Sequence, residues 1–154
     1  MTGPTAPRPY PTTMPPPAGG IAKAYFTPLM APCPVATRLP QPNKTEDTIN
    51  GFLRIEAAGG PILPDSVFFD IGIILHSYAP NAQESLAEQI MALAIGWGNN
   101  ASGSWVTHPS SGIPYFVSYS RCTSVGVRQQ DPLVNLTRFV GKVTWRMQGQ
   151  YIGP

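Results

Sequence analysis

Charge is scarce in this chain. Asp, Glu, Lys and Arg together make up 12% of its 154 residues, about half the usual share for a soluble domain. So lightly charged a surface suits a protein that is largely covered by partners. The net charge of +2 is too small to mark a nucleic-acid binder by its field alone. Cysteine is scarcer still. Cys33 and Cys122 build no disulfide framework, spacing alone cannot establish that they pair, and two reduced thiols are the expectation. His76 and His108 are the only histidines and form neither H-x-H nor H-x-x-x-H, so no metal quartet is indicated. The most apolar stretch, Met91 to Ile95, is far too short to span a bilayer. The chain does not open on the basic-then-apolar order of a signal peptide. The sequons at Asn43, Asn100 and Asn135 are accordingly read as chance.

Catalytic motifs are missing as well. Gly96-Trp97-Gly98-Asn99-Asn100-Ala101 has the letters of a dinucleotide turn, but such a turn must open a helix, and these glycines follow one. Gly141-Lys142 leads into Val143 rather than Ser or Thr, so it is no phosphate loop. No G-x-S-x-G elbow occurs. Asp70 and His76 remain as conceivable acid–base groups. A strand-end histidine facing solvent or a neighbour, and an Asp70 ion pair with Arg138, Lys142 or Arg146, are the plainer expectations.

Proline is abundant and unevenly placed. Twelve of nineteen lie in the first 42 residues. Proline fixes φ and removes a backbone donor, so residues 1–20 are expected to run as an extended arm, with residues 21–154 forming one domain. Pro9, Tyr10, Pro15, Pro16 and Pro17 are its candidate partner-wrapping residues. Such an arm gains order by contact with a neighbouring subunit.

Hydrophobic periodicity fills in the rest. A short helix is expected over Ile21–Met30, limited by Pro28, then a strand over Val35–Leu39 and a loop over Pro40–Asn50. Gly51–Ala57 alternates as a strand, with Phe52, Arg54 and Glu56 on one side. Ser66–Tyr78 is the strongest strand. Val67, Phe69, Ile71, Ile73 and Leu75 share one face, and Asp70, Gly72 and His76 share the other. Asn81 and Glu84 form a capping-box pattern, and Leu86, Ile90, Leu93 and Trp97 trace an apolar stripe that Gly96 and Gly98 end. Asn99–Gly112 reads as a loop carrying Trp105. Pro114–Arg128 and Leu136–Gln148 read as long strands joined by a turn at Asp131-Pro132, and should pair antiparallel. On the last strand Phe139, Gly141, Val143, Trp145 and Met147 face one way. Arg138, Lys142 and Arg146 face the other at intervals of about 13 Å. The fold class is therefore α+β: a small, mostly antiparallel sheet with one main helix across one face, a short N-terminal helix and the Pro-rich arm. Arg138, Lys142, Arg146 and Asp70 are the candidate subunit-interface or lumen charges. A solvated outer face is the alternative for that basic stripe.

The element order, with Asn81-Ala82-Gln83-Glu84-Ser85-Leu86-Ala87 opening a helix and Thr137 to Gly149 closing the chain, resembles the tail terminator family of long-tailed bacteriophages, particularly those of actinobacterial hosts. The family's final strand follows Arg-aromatic-x-x-x-Val-x-x-Arg-x-x-Gly, which Arg138, Phe139, Val143, Arg146 and Gly149 fit. The resemblance spans residues 20–150; the long arm departs from it. It implies a homo-hexameric ring in the tail-neck region of a virion assembled in the host cytoplasm. The ring caps the tail-tube protein, stops its polymerisation and docks the head connector or stopper protein. Genomic DNA passes without sequence specificity. The resemblance implies no catalysis, cofactor, metal or membrane. A head-completion (stopper) or tail-tube protein, a small enzyme using Asp70 and His76, and a peptide-binding module remain alternatives.

Overall fold

A computed structural model describes residues 12–60, 67–129 and 136–153. Six strands form a mixed sheet in the order β2-β3-β4-β7-β6-β5. They are β2 (Val35–Ala36), β3 (Phe52–Gly59), β4 (Phe68–Pro80), β5 (Trp105–Thr107), β6 (Pro114–Gln129) and β7 (Leu136–Gln148). All pairings are antiparallel except β2 with β3. A separate two-stranded ribbon joins β1 (Thr12–Met14) to β8 (Gln150–Gly153). Helices α1 (Ala18–Met30) and α2 (Glu84–Asn99) pack against one face of the main sheet. The α+β class and the antiparallel pairing of the two long C-terminal strands are as expected.

Alternation dictates which face is covered. Leu53 and Ile55 of β3, Phe69, Ile71, Ile73 and Leu75 of β4, and Val143, Trp145 and Met147 of β7 are all buried, together with Ile21, Ala22 and Phe26 of α1. Trp145 is fully buried at the centre. Its ring stacks on Phe26 at 6.0 Å and meets Tyr25 edge-on at 5.2 Å. Its indole N–H donates to the Gly98 carbonyl at 2.9 Å. Burying a ring of that size contributes about 4–6 kcal/mol of transfer free energy.

The stripe on α2 differs from the one expected. Ala87, Ile90, Met91, Ala94 and Gly98 face the sheet, whereas Leu93 is 57% and Trp97 39% exposed. Helical periodicity permits two neighbouring stripes, and the one that packs has Met91 against Gly126 and Gly141 and Gly98 against Phe26 and Val143. A Cβ on Gly98 would meet Val143 Cγ1 at 3.0 Å and the Phe26 ring at 3.2 Å. Gly98 therefore serves close approach, and the helix runs past it to Asn99.

Other boundaries moved for local reasons. The Asn81 side chain does not cap α2. A 3-10 turn, Asn81–Gln83, comes first, and Asn81 Oδ1 instead accepts from the Thr137 hydroxyl at 2.8 Å. Helix α1 begins at Ala18, with the Ile21 N–H donating to the Pro17 carbonyl. Val35–Leu39 shortens to the two residues of β2. The Pro40–Asn50 loop contains a 3-10 turn at Thr45–Asp47, where Asp47 accepts two hydrogen bonds from Arg38 and one from the Gln41 N–H. The Asn99–Gly112 loop contains β5, which pairs with the start of β6. Ser66 and Asp131-Pro132 lie outside the described residues.

Candidate interaction face

The sheet face away from the helices carries every predicted charge. Across β4 and β7, Asp70 stands opposite Arg146, Ile74 opposite Lys142, His76 opposite Val140 and Tyr78 opposite Arg138. Directly opposed residues share a face. Arg54 and Glu56 of β3 join them through their pairing with His76 and Ile74. On β6, Tyr119 pairs with Arg146 and Arg121 with Thr144. The face thus gathers Arg54, Arg121, Arg138, Lys142 and Arg146 around two carboxylates, Glu56 and Asp70.

Asp70 is bound in a fork. Arg146 Nε donates to its Oδ1 at 2.7 Å and Arg146 Nη2 to its Oδ2 at 3.0 Å. The hydrogen bond from Arg146 holds the Asp70 carboxyl below its ordinary value, and Arg121 adds a further favourable charge. Bidentate geometry fixes the guanidinium plane as well as the charge. Lys142 lies along β4 where Gly72 has no side chain; a Cβ there would meet Lys142 Cε at 2.6 Å. Gly72 therefore makes room for the lysine stem, and no carboxylate among the described residues pairs with its ammonium.

His76 is a correction to the sequence reading. Of the two settings expected, solvent or a neighbour, it takes the second, and it stands within β4 rather than at its end. It is 6% exposed, and its Nε2 meets Glu56 Oε2 at 2.8 Å. Burial lowers its pKa, against the opposing effect of the Glu56 hydrogen bond; Arg54 and Arg138 lower it further. Nδ1 is buried without a hydrogen-bond partner. The neutral tautomer with the proton on Nε2 fits that setting, because a second N–H would be buried without an acceptor. Asp70 and His76 stand six residues apart on β4, about 20 Å at the rise of a strand. Each is committed to its own partner, so they form no acid–base dyad.

Sequence reasoning found Arg138, Lys142, Arg146 and Asp70 but missed Arg54 and Arg121 as members of the same face. The alternation on β3 already placed Arg54 beside Glu56. Arg121 was hidden because β6 has register shifts between Val117 and Tyr119, and again on either side of Ser124, which break the period that the eye follows. Of the arm residues, Pro9 and Tyr10 lie outside the described residues. Pro15 and Pro17 are exposed and Pro16 is buried. Pro15 and Pro16 line a cavity of about 380 Å³ with Ala18, Ala57, Gly59, Gly60, Phe69 and Ile71 of the same chain. Among the described residues no group of three or more His, Cys, Asp and Glu is placed to hold a metal, and no helix is long and apolar enough to cross a membrane. Both cysteines are free thiols.

The molecule is thus a small α+β unit whose sheet is helix-covered on one side and carries a cation-rich surface on the other. A chain from the virion of a native gene transfer agent particle has this fold: TM-score 0.51, 10% sequence identity, 86% of this chain and 93% of that chain covered. No protein-family model matches the sequence. No curated protein matches it.

Proposed function

We propose that this chain is a structural subunit of a phage-like virion, and within it a tail terminator: a ring, hexameric by family resemblance, that caps the tail tube and meets the head connector. The observation that carries the reading is the fold shared along most of both chains with a virion subunit. Three features of the molecule support it. The charge fraction is low for a free-standing soluble domain. The acid–base pair that an enzyme reading would use is split along a strand. Outside the buried cluster of Phe52, Tyr78 and Leu136, the sheet face away from the helices carries more cations than carboxylates, which would attract DNA phosphates weakly and without sequence preference as a genome passed through a lumen.

The test is assembly. Purified protein, alone and mixed with the matching tail-tube protein, is followed by native mass spectrometry and negative-stain microscopy. The expected result is a closed ring and tubes of limited length when it is present. Open-ended polymers of this chain alone would reassign it as a tube protein. A monomer at tens of micromolar that leaves tube growth unchanged would overturn the reading.

A further inference from the structure

The two outer edges of the sheet are unequally covered, and the uncovered parts face opposite ways. Strand β6 is sixteen residues long, but β5 pairs only with Pro114, Tyr115 and Phe116. Loop groups serve the next stretch of its outer edge. Val117 exchanges backbone hydrogen bonds with Gly103 and Ser104, Ser120 Oγ bonds the Ser102 N–H and the Asn99 carbonyl, and Asn99 Oδ1 accepts from the Cys122 N–H at 2.6 Å. Beyond Cys122 the outer edge of residues 123–129 meets no strand or loop among the described residues. Val125 is 68% and Val127 54% exposed there. At the far side of the sheet β2 pairs only with Leu53 and Arg54 of β3, leaving residues 55–59 without an outer strand among the described residues, although Pro15 and Pro16 line a cavity with Ala57 and Gly59.

Bare strand edges of this kind are templates for pairing, and proteins that remain alone blunt them with proline, exposed lysine, bulges or a covering segment. Register shifts on either side of Ser124 and between Ala57 and Gly59 leave residues 127–129 and 55–57 as the regular runs. Residues 123–129 contain no proline and one charge, Arg128, which is engaged with Glu84 of α2 at 3.2 Å. Strand direction decides which pairing closes. Three antiparallel steps lead from β3 through β4 and β7 to β6, so β3 and β6 run in opposite directions within one subunit. Within one subunit Val127 lies level with Arg54, through Val140 and His76. It is therefore rotation about an axis tilted to the strands, as in a barrel, that brings the free stretch of β6 of one copy beside residues 55–59 of the next, in antiparallel sense and displaced by about four residues. Pairing β6 with β6 about a two-fold axis would instead consume the same edge twice and stop at a dimer.

We infer that the free edge of β6, residues 123–129, adds to the free edge of β3, residues 55–59, of a second copy of this chain, so that neighbouring sheets join head to tail. The inference rests on the assembly reading above and deepens it. The strands' own hydrogen-bonding groups provide the recognition. The joined sheets keep their cation-rich faces on one side of a continuous surface. Val127 pairs with Val140 on that side, and Ala58 reaches the same side, where its Cβ lies 3.2 Å from the position a Gly72 Cβ would take.

Crosslinking tests it in the full-length chain. Cys122 is replaced by Ser to remove the half-buried thiol, while buried Cys33 stays. Ala58→Cys and Val127→Cys are made separately and together, and a short bis-maleimide spans a mismatch of one register position. The expected result is a crosslinked pair only when the two single variants are mixed, and a ladder of multiples from the double variant. A Val127→Cys chain that crosslinks to itself alone would overturn the inference in favour of a two-fold contact. Assembled particles with no crosslink would overturn it too. Hydrogen exchange on the unaltered chain is independent of these substitutions: amides 123–129 should exchange at least about tenfold more slowly in the assembly than in dilute monomer, and equal rates would count against the pairing. Rings that cap tubes without the crosslink would leave the terminator reading standing and remove the edge pairing. A crosslinked ladder in particles that grow into long tubes would do the reverse.

Discussion

Asp70 and Arg146 face each other directly across β4 and β7 and are joined by two hydrogen bonds, at 2.7 and 3.0 Å. The pair orients one guanidinium of the basic stripe and leaves Lys142, four residues along the same strand face, without a carboxylate partner among the described residues. The face therefore contains a cation held by a carboxylate and one that is not, among the described residues. The two residues should respond differently to substitution.

Lys142→Glu is expected to leave the fold intact, since the ammonium makes no ion pair among the described residues. If the face meets a negative partner, it should raise the concentration needed for assembly or DNA retention by at least about tenfold, because like charges across an interface cost several kcal/mol. Arg146→Lys should keep the charge but lose the fork. Binding that survives Arg146→Lys and fails with Lys142→Glu marks a field effect rather than a shape effect. Assembly and infectivity unchanged by Lys142→Glu and by a double reversal with Arg146→Glu would remove the face from the function.

The centre of the core predicts its own weak points. Trp145→Ala should cost about 3–5 kcal/mol, the usual range for deleting a buried aromatic ring. Gly98→Ala should cost about 1–3 kcal/mol, since its Cβ would press on Val143 and Phe26. Urea titration followed by circular dichroism measures both. A Gly98→Ala protein as stable as the parent would show that α2 can lift off the sheet without loss.

His76 gives stability a sign with pH. Its pKa in the fold lies below the ordinary 6.5, so as pH falls below that value the unfolded chain takes up a proton that the folded chain resists. Stability should be full above pH 6.5 and should decline as pH falls toward the folded pKa. His76→Gln keeps a donor for Glu56 and should flatten this decline. A second, lower loss should survive that substitution. Asp47 is held at about 2 by the Arg38 hydrogen bonds, against the cost of its burial, and Asp70 is lowered by Arg146. Both lose their contribution only as pH falls below 3.8. Thermal melts from pH 8 to 2 separate the two windows.

The two thiols should differ in reactivity. Burial pushes the Cys33 thiol up to about 12, so the thiolate that attacks an alkylating reagent is nearly absent at neutral pH. Cys122 is half-buried. Maleimide at pH 7.5 should label one site per native chain, at Cys122, and the second only after denaturant is added. Prompt double labelling, read by intact-mass spectrometry, would contradict the burial of Cys33.

Much of the architecture was legible because strand alternation is a local signal. The faces of β3, β4 and β7 follow from side-chain period alone, and with them the placement of Asp70 opposite the basic stripe. Helix α2 was legible in place but not in rotation: Leu93 and Trp97 follow the same period as Ala87, Ala94 and Gly98, and contacts with distant glycines, Gly126 and Gly141 under Met91, go with the rotation adopted. Pro16 looked like part of a free arm because proline resists regular structure. Its burial depends on sheet residues far along the chain, Ala57 and Gly59 of β3 and Phe69 and Ile71 of β4.

The sequence by itself determined the class of the fold, the antiparallel pairing of the long C-terminal strands and the single-sided clustering of Arg138, Lys142 and Arg146, since all of these follow from period and turn chemistry between neighbours. Tertiary structure alone decided that Arg146 rather than Arg138 or Lys142 binds Asp70, that His76 is buried against Glu56, and which stretches of β3 and β6 have no strand beside them among the described residues. Those outcomes depend on cross-strand register and on where loops reach, and register is set by bulges and packing between segments far apart in the chain.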